Sequence, residues 1–147
     1  MRSKAPLAMM EQMVMLLVFA LAAALCLQAF VKSDQMSKRM EAQDRAATLC
    51  QSAAEAIRST RGDFERAAER LDAMAEQDSL TLFYDENWKA AVPESPNVYP
   101  MGYTLGACRV ESGVPGLGKA EVWVQEDQSG GELFRLETAW QEVSAHG

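Results

Sequence analysis

From Met13 to Val31 every position but Gln28 is apolar, and then the pattern changes from a continuous run to a stripe. The first part nearly supplies the roughly 20 apolar residues that a helix needs to cross a hydrocarbon core of about 30 Å. A helix there also satisfies its own backbone groups in lipid. Beyond Val31, Met36, Met40, Ala47, Cys50, Ala54 and Ile57 recur at three- and four-residue steps. Lys38, Arg39, Glu41, Asp44, Arg45 and Glu55 fall mostly on other faces. Neither Pro nor Gly interrupts Leu7 to Ile57, so the pattern predicts one helix, roughly 75 Å long at 1.5 Å per residue. Its segment 7–31 reads as a transmembrane helix behind a basic leader at 1–6, and 32–58 as an amphipathic continuation. The continuation lacks sustained Leu or Ile at heptad positions, which favours packing on the chain's own later domain over a coiled coil.

The remainder, 59–147, reads as a short helix followed by an antiparallel sheet. Ser59-Thr60-Arg61-Gly62 punctuates, and Asp63 can cap a helix reaching about Glu76 with Phe64, Ala67, Ala68, Leu71 and Ala75 on its apolar face. The period then switches to alternation: Leu80, Leu82 and Tyr84 form a strand, Asp85-Glu86-Asn87 a turn, and Trp88 to Val92 a second strand. Pro93, Pro96 and Pro100 mark an irregular connection. Three longer strands follow, Tyr103 to Glu111, Lys119 to Glu126 and Leu133 to Gln141, separated by turn formers at Gly113 to Gly118 and Asp127 to Gly131. Short connections favour an antiparallel meander. Cys108 and Val110, Ala120, Val122 and Val124, and Phe134, Leu136 and Trp140 are expected on one apolar face, covered by the Met36 to Ile57 stripe. Trp123 is expected on the other face as a cross-strand partner of Tyr103 or Leu105. The fold class is therefore α+β, a long N-terminal helix packed on a C-terminal antiparallel β-meander.

Charge narrows the function. The chain carries a net charge of -7, and a surface without basic dominance argues against nucleic-acid partners. Arg2 and Lys4 precede the span, whereas Lys32, Lys38 and Arg39 after it are mixed with Asp34, Glu41 and Asp44. The positive-inside rule then orients the N-terminus to the cytoplasm and the later domain outside it, in a single-pass arrangement with membrane lipid as the first partner. A cleaved secretory signal is the competing reading, with Ala22-Ala23-Ala24 as a cleavage region, but the apolar run continues through Leu25, Leu27 and Phe30. A lipoprotein signal fits less well, because Leu25 precedes Cys26 where a small residue is expected.

Glu11 is out of place at the margin of an apolar helix. No basic residue lies one turn away, so it is either an interfacial residue paired in sequence with Gln12 or a carboxylate that takes a cation from another molecule. At this point the chain resembles type IV pilins and the pseudopilins of type II secretion and competence systems. In that family a short basic leader and a peptidase site precede a hydrophobic helix whose fifth mature residue is usually Glu. Here Leu7-Ala8-Met9-Met10-Glu11 matches that spacing, with Pro6 and Leu7 flanking the processing site, although the family carries Gly or Ala where this chain has Pro6. The resemblance implies that Glu11 pairs with the freed amino group at Leu7 of a neighbouring subunit. It also implies partners: other pilin-like subunits, the assembly machinery and a prepilin peptidase.

Chemistry is sparse. His146 is the sole histidine, which leaves neither a triad nor a His-based metal site, and no nucleophile motif or phosphate loop frames the hydroxyls and carboxylates. Glu126, Asp127 and Glu132 surround a Gly-rich turn of the kind that holds calcium in some pseudopilins, without a diagnostic spacing. No catalytic, cofactor-binding or metal-ligating residue is assigned. Among the three cysteines, Cys26 lies in the span, and Cys50 and Cys108 are either a disulfide or two buried thiols. Two readings result: a pilin-like structural subunit, and a permanently anchored single-pass protein whose extracytoplasmic domain binds a partner.

Overall fold

The computed structural model describes residues 5–93 and 102–142. The chain is α+β, with one long N-terminal helix and a C-terminal open antiparallel sheet. Helix α1 runs without a break over Ala5–Ser59. The chain divides into two compact units at Glu41/Ala42, within α1.

In the first unit every described side chain is exposed. The apolar window of α1 has a mean hydropathy of 2.6 and none of it is buried within the chain. Lys38 and Asp34, one turn apart, form an ion pair at 2.8 Å. Met36 and Met40, expected on the packed stripe, are 64% and 56% exposed. The packed face starts later and comprises Ala46, Cys50, Ala53, Ala54 and Ile57. A helical period continues wherever the sequence keeps it, whereas burial depends on a neighbouring element that the period does not encode.

In the second unit Thr60 turns the chain by donating its hydroxyl to carbonyls of the last turn of α1, and Gly62 takes φ 79°. Helix α2, Phe64–Leu71, is capped by Asp63, whose side chain accepts from the Arg66 N–H at 3.0 Å. It buries Phe64, Ala67 and Ala68. Asp72 then adopts the left-handed conformation at φ 52°, and the Ala73 N–H donates to the Ala68 carbonyl, a C-terminal cap that ends the helix. The expected continuation to Glu76 is thus corrected: Met74–Glu76 is a short strand, β1.

β2, Ser79–Asp85, follows, with the expected alternation of buried Leu80, Leu82 and Tyr84. The second strand of that hairpin shrinks to β3, Ala90–Ala91, because Trp88 sits at φ 63° in the turn and cannot extend the ladder. Pro96 and Pro100 lie outside the described residues. β4, Gly102–Val110, β5, Leu117–Glu126, and β6, Glu132–Gln141, form the meander close to the expected bounds. The sheet order is β1-β2-β4-β5-β6, with β3 beside β1 on the same flank of β2.

Register assigns the faces. Leu105 opposes Leu82 and Val124, and Ala107 opposes Leu80 and Val122, so the core face of β4 is Leu105 and Ala107. Cys108 opposes Ser79 and Glu121, and Val110 opposes Lys119; the expectation that both face the core is corrected by one residue of phase. The core closes with Ile57, Phe64, Leu80, Leu82, Tyr84, Leu105, Val122, Val124 and Trp140 as its larger members.

Candidate functional site

The N-terminal site residues are exposed on one helical segment. Pro6 lies in the first turn of α1, where its missing N–H costs no intrahelical bond. Leu7 is 77% exposed, and Glu11 is also exposed, one helical turn further along the same face. Among the described residues no ion pair or hydrogen bond engages Glu11. Val14, Met15, Val18, Phe19 and Ala22 border an open apolar depression on the same helix, with no wall from another element. Such a surface suits lipid tails or another helix better than a small ligand, which requires an enclosing pocket.

The second unit presents its charged chemistry on the face of the sheet away from α1's packed residues. Arg135 of β6 donates to Glu121 and to Glu132, and its guanidinium lies 5.4 Å from the Trp123 ring centre. The two carboxylates hold the Arg135 pKa above its ordinary value, and Arg135 holds the Glu132 carboxyl below its own. Lys119 bridges Glu137 at 2.8 Å on the same face. Trp123 therefore pairs with Arg135 and lies against Gly106, not with Tyr103 or Leu105 as expected, because the register sets Gly106 directly opposite it.

At one end of the core Arg109 joins three segments. Its Nε donates to Asp78 Oδ1 at 2.9 Å, Nη1 to Glu142 Oε1 at 2.8 Å and Nη2 to the Gly62 carbonyl at 3.0 Å. The same guanidinium lies 5.3 Å from the Trp140 ring centre, with Gly62 and Gly118 closing on the indole. At the other end Trp88 stacks on Tyr103, with ring centres 3.8 Å apart and planes inclined by 12°. Burial raises the phenol pKa of both Tyr84 and Tyr103. The Arg109 guanidinium is occupied by neighbours of the same domain, whereas the buried Trp140 indole N–H has no hydrogen-bond partner among the described residues.

The cysteine expectation is resolved by position. Cys26, Cys50 and Cys108 are free thiols. Cys50 is fully buried in the core and burial pushes its pKa up to about 12, so it is inert as a nucleophile at neutral pH. Cys108 is half-buried on the opposite face of the sheet, beside Glu121. A Cys50–Cys108 disulfide is therefore corrected to two separate thiols, since a bond between side chains on opposite faces would have to pass through the sheet.

The three carboxylates of the Gly-rich turn also part company. Glu126 accepts from Ser129, Asp127 accepts from Thr104 at 2.7 Å, and Glu132 is bound by Arg135. Among the described residues no three metal-ligating side chains converge. Gly113 to Gly118 forms a turn closed by the Leu117 N–H donating to the Val114 carbonyl. His146 lies outside the described residues. Neither Arg109 nor Arg135 stood out in the sequence; a lone Arg within a strand, with acidic residues at its cross-strand positions, is the signal that would have found them. Comparison of the chain with family models, with curated proteins and with solved structures finds no match.

Proposed function

We propose that this protein is a pilin-like structural subunit, held in a membrane by the apolar part of α1 and later packed through that helix into a filament of a pilus, secretion or competence system. The observation that carries this reading is the state of α1. One unbroken helix changes from a segment with no side chain buried to one that buries Ala46, Cys50, Ala53 and Ile57 against an antiparallel sheet. A wholly exposed apolar helix needs lipid or other helices as its surroundings. Leu7 and Glu11, exposed on that segment, fit the registering role: van der Waals contacts let apolar helices slide, whereas a carboxylate and an amino group meeting in a water-poor core fix one axial offset. The small residues Ala20 and Ala24, one turn apart, let a neighbouring helix approach closely.

The experiment has two parts. The N-terminus of the mature protein is sequenced, with Leu7 expected; a start at Met1 leaves a plain anchor, and a start after Ala24 makes the protein secreted. Glu11→Gln is then compared with the parent in the same cells. Expression, insertion and the folded sheet are expected to be unchanged, and incorporation into filaments to fall at least about tenfold, as for leaving a charge unpaired in a desolvated core. Equal incorporation of the Gln variant removes the registering role.

A further inference from the structure

β6 is the edge strand of the sheet over its whole length, and among the described residues nothing pairs with its outer side. The Glu142 N–H donates to the Gly116 carbonyl of β5's preceding turn. Antiparallel ladders alternate strictly, so the N–H and C=O of Arg135, Glu137, Ala139 and Gln141 point away from β5. That row of unpaired donors and acceptors is a template for a further strand. No Pro interrupts it, and the only irregularity of its pairing with β5 lies at its far end, opposite Val124/Gln125.

We propose that the partner strand is β6 of a second copy of this chain, antiparallel to the first, with Leu136 on the two-fold axis. Edge charges ordinarily discourage pairing; here they select a register. Arg135 and Glu137 are two residues apart on the same face of the sheet; within the chain Arg135 bridges Glu121 and Glu132 and Glu137 bridges Lys119, so pairing across the edge would join these ion pairs into one network. With Leu136 opposite Leu136, Arg135 of each copy faces Glu137 of the other, and the outward-pointing odd-numbered residues meet as hydrogen-bonded pairs. Moving the axis one residue either way sets Arg135 against Arg135 or Glu137 against Glu137, and an in-register parallel arrangement sets both like pairs together. Like charges directly opposite each other are destabilising, and opposite ones stabilising. On the core face the same register places half-buried Leu136 against its own copy and half-buried Phe134 against Thr138, adding apolar cover to side chains that the monomer leaves partly wet.

This pairing goes beyond the filament reading and does not depend on it, since it uses neither processing at Leu7 nor the Glu11 carboxylate. The test is disulfide trapping in the full chain in its membrane or in mild detergent, with Cys26 and Cys108 replaced by Ser. Leu136→Cys is expected to form a covalent dimer under mild oxidation, because directly opposed side chains have Cβ atoms about 5 Å apart. Ala139→Cys is expected to stay monomeric, its counterpart lying roughly 20 Å along the strand. Adding Glu137→Lys to Leu136→Cys should lower the trapped fraction at least about fivefold, as two attractive pairs become repulsive, while circular dichroism reports an unchanged fold. Equal trapping at 136 and 139, no trapping at 136 in a folded protein, or indifference to Glu137→Lys each overturns the proposal. If Leu136→Cys fails to fold, Arg135→Cys co-expressed with Glu137→Cys tests the same register at two exposed positions on the regular side of the bulge, with a mixed dimer expected and its absence overturning it.

Discussion

Trp123 lies flat across Gly106. The two are directly opposed on β5 and β4, and a Cβ at position 106 would fall 2.5 Å from the indole Cζ2. The absent side chain is what lets the ring lie against the strand and carry Arg135 on it. Gly106→Ala should destabilise the domain by about 1–3 kcal/mol, the usual cost of overpacking, and shift the tryptophan emission. In a Trp123→Ala background most of that cost should vanish, because the three atoms nearest that Cβ all belong to the Trp123 ring; thermal unfolding of the four-member cycle measures this coupling. Equal cost in both backgrounds would place the strain elsewhere.

Burial also sets the cysteine chemistry. Thiol counting on denatured, unreduced protein should find Cys50 and Cys108 both free. In the folded protein Cys50, fully buried and with its pKa raised to about 12, should resist alkylation at pH near 8, whereas Cys108, only half-buried, should react before it. Mass spectrometry of timed alkylation distinguishes them, and a Cys50–Cys108 disulfide peptide would contradict the face assignment.

Where α1 stops being packed can be tested by a pair of truncations. Ile57→Ala removes a fully buried side chain from the core and should cost about 2–5 kcal/mol. Met40→Ala changes an exposed side chain and should leave thermal unfolding of the second unit within about 0.5 kcal/mol. A large loss from Met40→Ala would contradict the exposure of that side chain.

Acid should weaken the Arg135 network. Hydrogen bonding from Arg135 lowers the folded-state pKa of Glu132 below its ordinary 4.5. A depressed carboxylate contributes stability above its unfolded value and loses it as pH falls through the folded one. Arg135→Met should therefore be less stable than the parent near neutral pH, and the gap should narrow below about pH 4.5 as Glu132 protonates. The groups are exposed, so the difference is small. Chemical denaturation of both proteins from about pH 3 to 7 reads it, and a gap that widens on acidification reverses the assignment.

The sequence by itself determined the elements whose pattern is local. Met13 to Val31 reads from its continuous apolar run as one long apolar helix. The absence of Gly and Pro carries α1 through to Ser59, and alternation plus Gly-rich turns located β2, β4, β5 and β6 almost to the residue. It did not determine phase. In β4 the apolar residues Leu105, Ala107, Cys108 and Val110 support either face, and only pairing with β2 and β5 put Leu105 and Ala107 inward, which separated Cys108 from Cys50 and set Trp123 on Gly106. Nor could it find where a helical stripe loses its cover, as at Met36 and Met40, or that Asp72 turns left-handed and makes Met74–Glu76 a strand instead of a last helical turn. Each of these depends on which distant segment is adjacent, and periodicity along a chain holds no information about its neighbours in space.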